Sequence, residues 1–88
     1  MTREEIGAEL RAIVARSFGI DPATVSNTTT AEDVDGWNSL AHATLVMRVE
    51  RIFNVDLDRS AAFGAQDLGA LSDLIVSSLQ ARDDQLHP

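Results

Sequence analysis

Ser39 is the residue of this chain best placed to do chemistry. It stands in Gly36-Trp37-Asn38-Ser39-Leu40, ahead of Ala41-His42-Ala43-Thr44-Leu45-Val46-Met47, where an apolar-periodic run begins. A hydroxyl at a helix start is exposed and lies where the free N–H groups of the first turn converge. It can hold a phosphate, which the helix dipole favours. His42 follows three residues later, so the two side chains could approach each other on one helix. A hydrolase needs more than such a pair: an orienting group, an oxyanion site and a pocket, none of which is evident in the sequence. The other histidine is His87, and the two have no metal-ligand spacing. Glu32, Asp33 and Asp35 form a local acidic cluster without the Asp-x-Asp-x-Asp-Gly register of a calcium loop. No Gly-rich phosphate cradle is present, and no residue is assigned as catalytic or as a metal ligand.

The elements that must position Ser39 read as helices. Thr2-Arg3-Glu4-Glu5 fits a capping box, after which Ile6, Leu10, Ile13, Val14 and Phe18 recur at helical spacing. A first helix is predicted over residues 3–18, with Gly19 as its stop. Residues 19–37 form a long connection, of a length that is usually functional. Ile20, Val25 and Val34 could pin it to the core, and Asp21-Pro22-Ala23-Thr24 suits one capped helical turn. Gly36 suggests a positive φ or a close backbone approach.

The second helix is predicted from Ser39 to Phe53, with Asn38 as N-cap and Asn54 as stop. Ala43, Val46, Val49, Ile52 and Phe53 define its apolar stripe. Leu40, Thr44, Met47 and Arg51 lie on another face, giving either a small contact surface beside Ser39 or residues that merely flank the core. Val55-Asp56-Leu57-Asp58 is too short to support a sheet. Residues 58–66 read as a short helix or turn. Leu68, Leu71, Leu74, Ile75, Ser78 and Leu79 mark a last helix over residues 68–82, followed by a frayed, flexible tail, 83–88. The expected fold is all-α, a small four-helix bundle within residues 1–82.

Eighty-eight residues allow one small core and no buried active-site cleft. Aromatics are only 5% of the chain, so that core should be aliphatic. Fourteen acids against seven bases leave a net charge of −7, and no base lies between Arg16 and Arg48. Negative charge therefore surrounds Ser39, which disfavours nucleic acid and suits basic protein surfaces, unless it serves solubility alone. The lack of cysteine suits a reducing cytoplasm, and no stretch is long enough to span a bilayer.

The Ser39 segment closely resembles the serine site of acyl and peptidyl carrier proteins, where Gly-x-Asp-Ser-Leu opens the second helix. The likeness covers about residues 4–80 and includes the acidic loop and Glu50-Arg51-Ile52-Phe53-Asn54-Val55, with Phe53 in the core. It implies a bundle of acyl-carrier type and a 4′-phosphopantetheine arm on Ser39. In that family a phosphopantetheinyl transferase activates the serine, which attacks the pyrophosphate of coenzyme A and keeps the phosphopantetheine. The arm ends in a thiol that holds acyl groups as thioesters for acyl-loading and acyl-processing enzymes. The carrier itself is no enzyme, and a monomer is expected.

The resemblance also places Trp37, Asn38 and Leu40 around the arm, and partner docking on Leu40, Ala41, Thr44, Met47, Arg48 and Arg51. Trp37 reads first as a loop anchor packed on helix ends, and second as a contact for the arm. His42 reads as a solvated face residue or a recognition residue. Two departures stand out. Asn38 replaces the family's aspartate, keeping its capping shape and losing its charge. Positions that commonly hold acids are Ala41, Thr44 and Arg51 here, with Glu50 retained. These changes imply a specialised carrier of a polyketide, fatty-acid-like or nonribosomal-peptide-related pathway. The alternatives are an unmodified carrier-like adaptor that docks proteins through its acidic surface and, more remotely, a small hydrolase using Ser39 and His42.

Overall fold

The computed structural model describes residues 1–86. Four α-helices succeed one another: α1 (Arg3–Phe18), α2 (Ser39–Phe53), α3 (Arg59–Gly64) and α4 (Leu68–Leu86). The α1–α2 connection contains two 3-10 turns, Pro22–Thr24 and Ala31–Asp33, and the described residues contain no strand.

Side chains cap helix starts, and left-handed backbone closes two helix ends. The Thr2 hydroxyl accepts the Glu5 N–H at 3.1 Å while the Glu5 carboxylate accepts the Thr2 N–H at 2.9 Å, completing the capping box of α1. Gly19, with φ of 64°, closes α1, and Asn54, with φ of 56°, closes α2. Asp58 caps α3 by accepting the Ala61 N–H at 2.9 Å.

The core is aliphatic. Leu10, Ile13 and Val14 of α1 meet Leu45, Val46 and Val49 of α2 and Leu68, Leu71 and Ile75 of α4, all buried, with Phe53 beside them. Each large side chain of this kind contributes about 1.5–3 kcal/mol by leaving water. The buried stripe of α2 is displaced from the expected one. Leu45 is fully covered, whereas Ile52 remains 49% exposed at the stripe's edge. In a 3.6-residue turn Leu45, Val46, Val49 and Phe53 share one face, with Ile52 on its flank and Ala43 beyond the other side.

The long connection is pinned to α4 as well as to the core. Val25, Thr29 and Val34 are buried. The carbonyls of Thr29 and Asn27 accept the Leu68 and Gly69 N–H groups at 3.1 and 2.8 Å, so the loop caps α4 with its own backbone. Only glycine suits this approach without adjustment, since a Cβ at Gly69 would stand 3.2 Å from the Asn27 carbonyl oxygen.

The expected end of the last helix at 82 needs correction. α4 continues through Leu86, so residues 83–86 of the expected flexible tail are helical, and residues 87–88 lie outside those described. No Gly or Pro interrupts the chain between Ala70 and His87 to stop it earlier. Arg82 also ties α4 to the end of α2, donating to the Phe53 and Asn54 carbonyls at 3.1 and 2.9 Å.

Candidate functional site

The loop before α2 turns at Gly36, whose φ of 86° is open to glycine at little cost, and delivers Trp37, Asn38 and Ser39 in sequence. The Asn38 amide oxygen accepts the Ala41 N–H at 2.9 Å, and its carbonyl accepts the His42 N–H at 2.8 Å. Asn38 is thus the N-cap, and Ser39 is the first residue of α2. Ser39 is exposed. Its own N–H and that of Leu40 have no hydrogen-bond partner among the described residues. An exposed hydroxyl therefore sits beside two free donors at the positive end of a 15-residue helix. These groups fit a phosphate carried on the serine oxygen.

Trp37 anchors this loop. Its ring is half-buried and stacks on Phe18 at the end of α1, with centroids 5.0 Å apart. Its indole N–H donates to His42 Nδ1 at 3.0 Å. Indole can only donate, so Nδ1 is the acceptor, and the tautomer follows: Nε2 carries the proton and donates to the Ala62 carbonyl at 2.9 Å. Phe63 packs edge-on against the His42 ring, centroids 5.2 Å apart.

His42 is therefore not a solvated face residue. It is half-buried and bridges the site loop to α3. With Nδ1 and Nε2 both engaged, it has no nitrogen left to serve as a base for Ser39, and the hydrolase reading fails on geometry. A signal for this was present in the sequence, because His42 lies one turn before Leu45 and Val46 on the buried side of α2. A cavity that the sequence reading did not anticipate opens next to Ser39. It has a volume of about 290 Å³ and is lined by Trp37, Asn38, Ser39, His42, Phe63, Leu68 and Leu71, among others.

The remaining expected residues divide by exposure. Leu40, Thr44, Met47, Arg48 and Arg51 are exposed on α2, and Ala41 is half-covered. Glu50 is half-buried, with its carboxylate accepting the Leu57 N–H at 3.0 Å. No group of three or more described His, Asp or Glu side chains is placed to hold a metal. No described helix is long and apolar enough to cross a membrane.

The family model for the phosphopantetheine attachment site matches residues 8–75, which span α1, α2, α3 and the start of α4. The chain belongs to the acyl carrier protein family. Its fold is similar to the holo acyl carrier protein from Geobacter metallireducens, with a TM-score of 0.76, 28% identity and coverage of 91% of each chain. It is also similar to the acyl carrier protein from Enterococcus faecalis, with a TM-score of 0.72, 26% identity, and coverage of 89% of this chain and 99% of that one. No curated protein sequence matches. An acyl carrier holds its cargo and leaves catalysis to other proteins, so this carrier is not an enzyme. Its cofactor is covalent 4′-phosphopantetheine, and its family works with a transferase and with acyl-processing enzymes.

Proposed function

We propose that Ser39 is the residue that carries 4′-phosphopantetheine. The observation supporting this most directly is its position: an exposed hydroxyl at the first residue of α2, beside the unpartnered N–H groups of Ser39 and Leu40. When bound, the arm supplies the thiol that this cysteine-free chain lacks, and acyl groups ride on it as thioesters. Asn38 holds the helix start rigid, and the Phe18–Trp37–His42 stack fixes the loop behind it. The cavity beside Ser39 shelters cargo. At about 290 Å³ it lies at the small end of ligand-sized cavities, which suits a short acyl group.

The pathway is polyketide, fatty-acid-like or nonribosomal-peptide-related, in the cytoplasm, with the carrier acting as a monomer within residues 1–82 and docking partners through Leu40, Ala41, Thr44, Met47, Arg48 and Arg51. Incubation with coenzyme A, magnesium and a permissive phosphopantetheinyl transferase tests the attachment. Intact mass should rise by one phosphopantetheinyl group in the wild type and stay unchanged in Ser39→Ala. A second reading, an unmodified adaptor, is favoured by one feature: Asn38 leaves no carboxylate beside the hydroxyl. It predicts no mass gain in the wild type with any transferase, and a gain once Asn38→Asp restores the carboxylate.

A further inference from the structure

The cavity beside Ser39 has a charge as well as a volume. Trp37, Phe63, Leu68 and Leu71 give it apolar walls, and Thr29, Gln66 and Asp67 give it a polar one. No arginine lines it, and the chain has no lysine. His42 also lines it, but both ring nitrogens are spent on Trp37 and Ala62, and the tautomer that makes these bonds is neutral. Among the described residues, the charge of the cavity is therefore that of the half-buried Asp67 carboxylate.

Asp67 caps α4. Its Oδ1 accepts the Ala70 N–H at 2.9 Å and its carbonyl accepts the Leu71 N–H at 3.2 Å. Oδ2 has neither a hydrogen bond nor an ion pair among the described residues. The Leu68 and Gly69 N–H groups go to the Thr29 and Asn27 carbonyls. All four donors of the first turn of α4 are thus occupied, and none remains there to receive an anion.

Thr29 is an independent mark of a ligand. It is only 7% exposed, and its side-chain oxygen accepts the Ser26 N–H at 2.8 Å. Its hydroxyl proton has no acceptor among the described residues, although a buried hydroxyl is built to donate as well as accept. The bond from the Leu68 N–H to the Thr29 carbonyl sets this donor close to Asp67, within the span of a short chain.

Resting on the carrier reading above, we propose that the cavity takes a short acyl group ending in an ammonium. The acyl carbonyl accepts the Thr29 O–H, the methylenes lie against Phe63 and Leu71, and the ammonium reaches Asp67 Oδ2. A chain ending in a methyl group takes water from that carboxylate and gives it no partner. A chain ending in a carboxylate meets like charge, with no free donor of α4 to offset it.

β-Alanyl-, butyryl- and malonyl-coenzyme A, whose acyl groups have nearly equal reach and differ in the terminal group, serve as probes. A permissive phosphopantetheinyl transferase loads each onto the wild type and onto Asp67→Asn, which removes the charge and keeps an equivalent cap. Thermal melts verify the fold. Cleavage of each thioester by hydroxylamine is followed by intact mass. The ratio between the two proteins cancels the intrinsic reactivity of the thioester. The β-alanyl form should be cleaved about fivefold more slowly in the wild type, the scale of one partly screened ion pair. The butyryl form should react equally in both proteins, and the malonyl form no more slowly in the wild type than in the variant. Equal ratios for β-alanyl and butyryl, or protection of malonyl above β-alanyl, overturn the proposal while leaving the carrier reading intact. If Asp67→Asn does not fold, wild-type amide shifts decide. Those of Asp67 and Leu71 should move more on loading with β-alanyl than with butyryl, and equal movement overturns the proposal. Failure of the wild type to gain mass even from unacylated coenzyme A overturns the Ser39 reading, and the proposal with it.

Discussion

Asn38 does by dipole what an aspartate would do by charge. Its amide oxygen accepts the Ala41 N–H, so the cap survives the loss of a carboxylate. Asn38→Ala should cost about 1 kcal/mol, which lowers Tm by about 4–8 °C in a domain of this size. Asn38→Asp should retain the cap and gain about 0.3–1 kcal/mol from the helix dipole. Thermal melts of the three proteins check the order Asp, Asn, Ala. His42 is the second residue on which the site depends. His42→Phe keeps the ring contact with Phe63 but strands the Trp37 indole N–H and the Ala62 carbonyl. The expected loss is about 1–3 kcal/mol. Trp37 is the chain's single tryptophan, so its emission reports the change directly: a red shift is expected, and unchanged emission and Tm would contradict the bridge.

At the scale of the elements, α1 carries a pH dependence of known sign. Hydrogen bonds from the Thr2 backbone and then its hydroxyl hold the Glu5 carboxyl below the ordinary glutamate range. The unfolded chain binds that proton more readily, so the contribution is complete above the ordinary glutamate value and is lost as pH falls through the lowered one. The first turn of α1 should loosen in that window, visible in the amide shifts of Glu5 and Ile6, and Glu5→Gln should flatten the response. The ends of α1 and α2 were legible in the sequence because Thr2, Gly19, Asn38 and Asn54 are residue types that cap through side chains or positive φ. The loop's grip on α4 was not legible, because Asn27 and Thr29 act there through backbone carbonyls that any residue supplies. The extension of α4 past 82 was legible only in the absence of a Gly or Pro stop, because the close-spaced apolar stripe ends at Leu79 and polar residues follow. His42 was misread because polarity was given more weight than its place on the buried face of α2.

Across the whole molecule, acids outnumber bases two to one, and the ion pairs among the described residues are few and largely exposed. Such pairs add little stability. The unpaired excess acts instead as self-repulsion that compaction intensifies. Raising sodium chloride from about 10 to about 200 mM should therefore raise Tm by screening that repulsion. A Tm that falls with salt over this range would mean that attractive pairs dominate. The same charge distribution leaves α2 without an outward acid, so cations stand at its far end at Arg48 and Arg51 while the exposed acids Glu32 and Asp35 precede Ser39. The bundle was legible as a whole because the apolar periodicity of α1, α2 and α4 is strong. The cavity beside Ser39 was not, because it arises where Trp37, Phe63 and Leu71 converge from separate elements.

The central claim concerns one hydroxyl among seven serines. Fragmentation mass spectrometry of the transferase-treated protein locates the added phosphopantetheinyl group on a residue. The account predicts attachment at Ser39 alone. Attachment at Ser17, Ser26, Ser60, Ser72, Ser77 or Ser78, or no attachment at all, would contradict it.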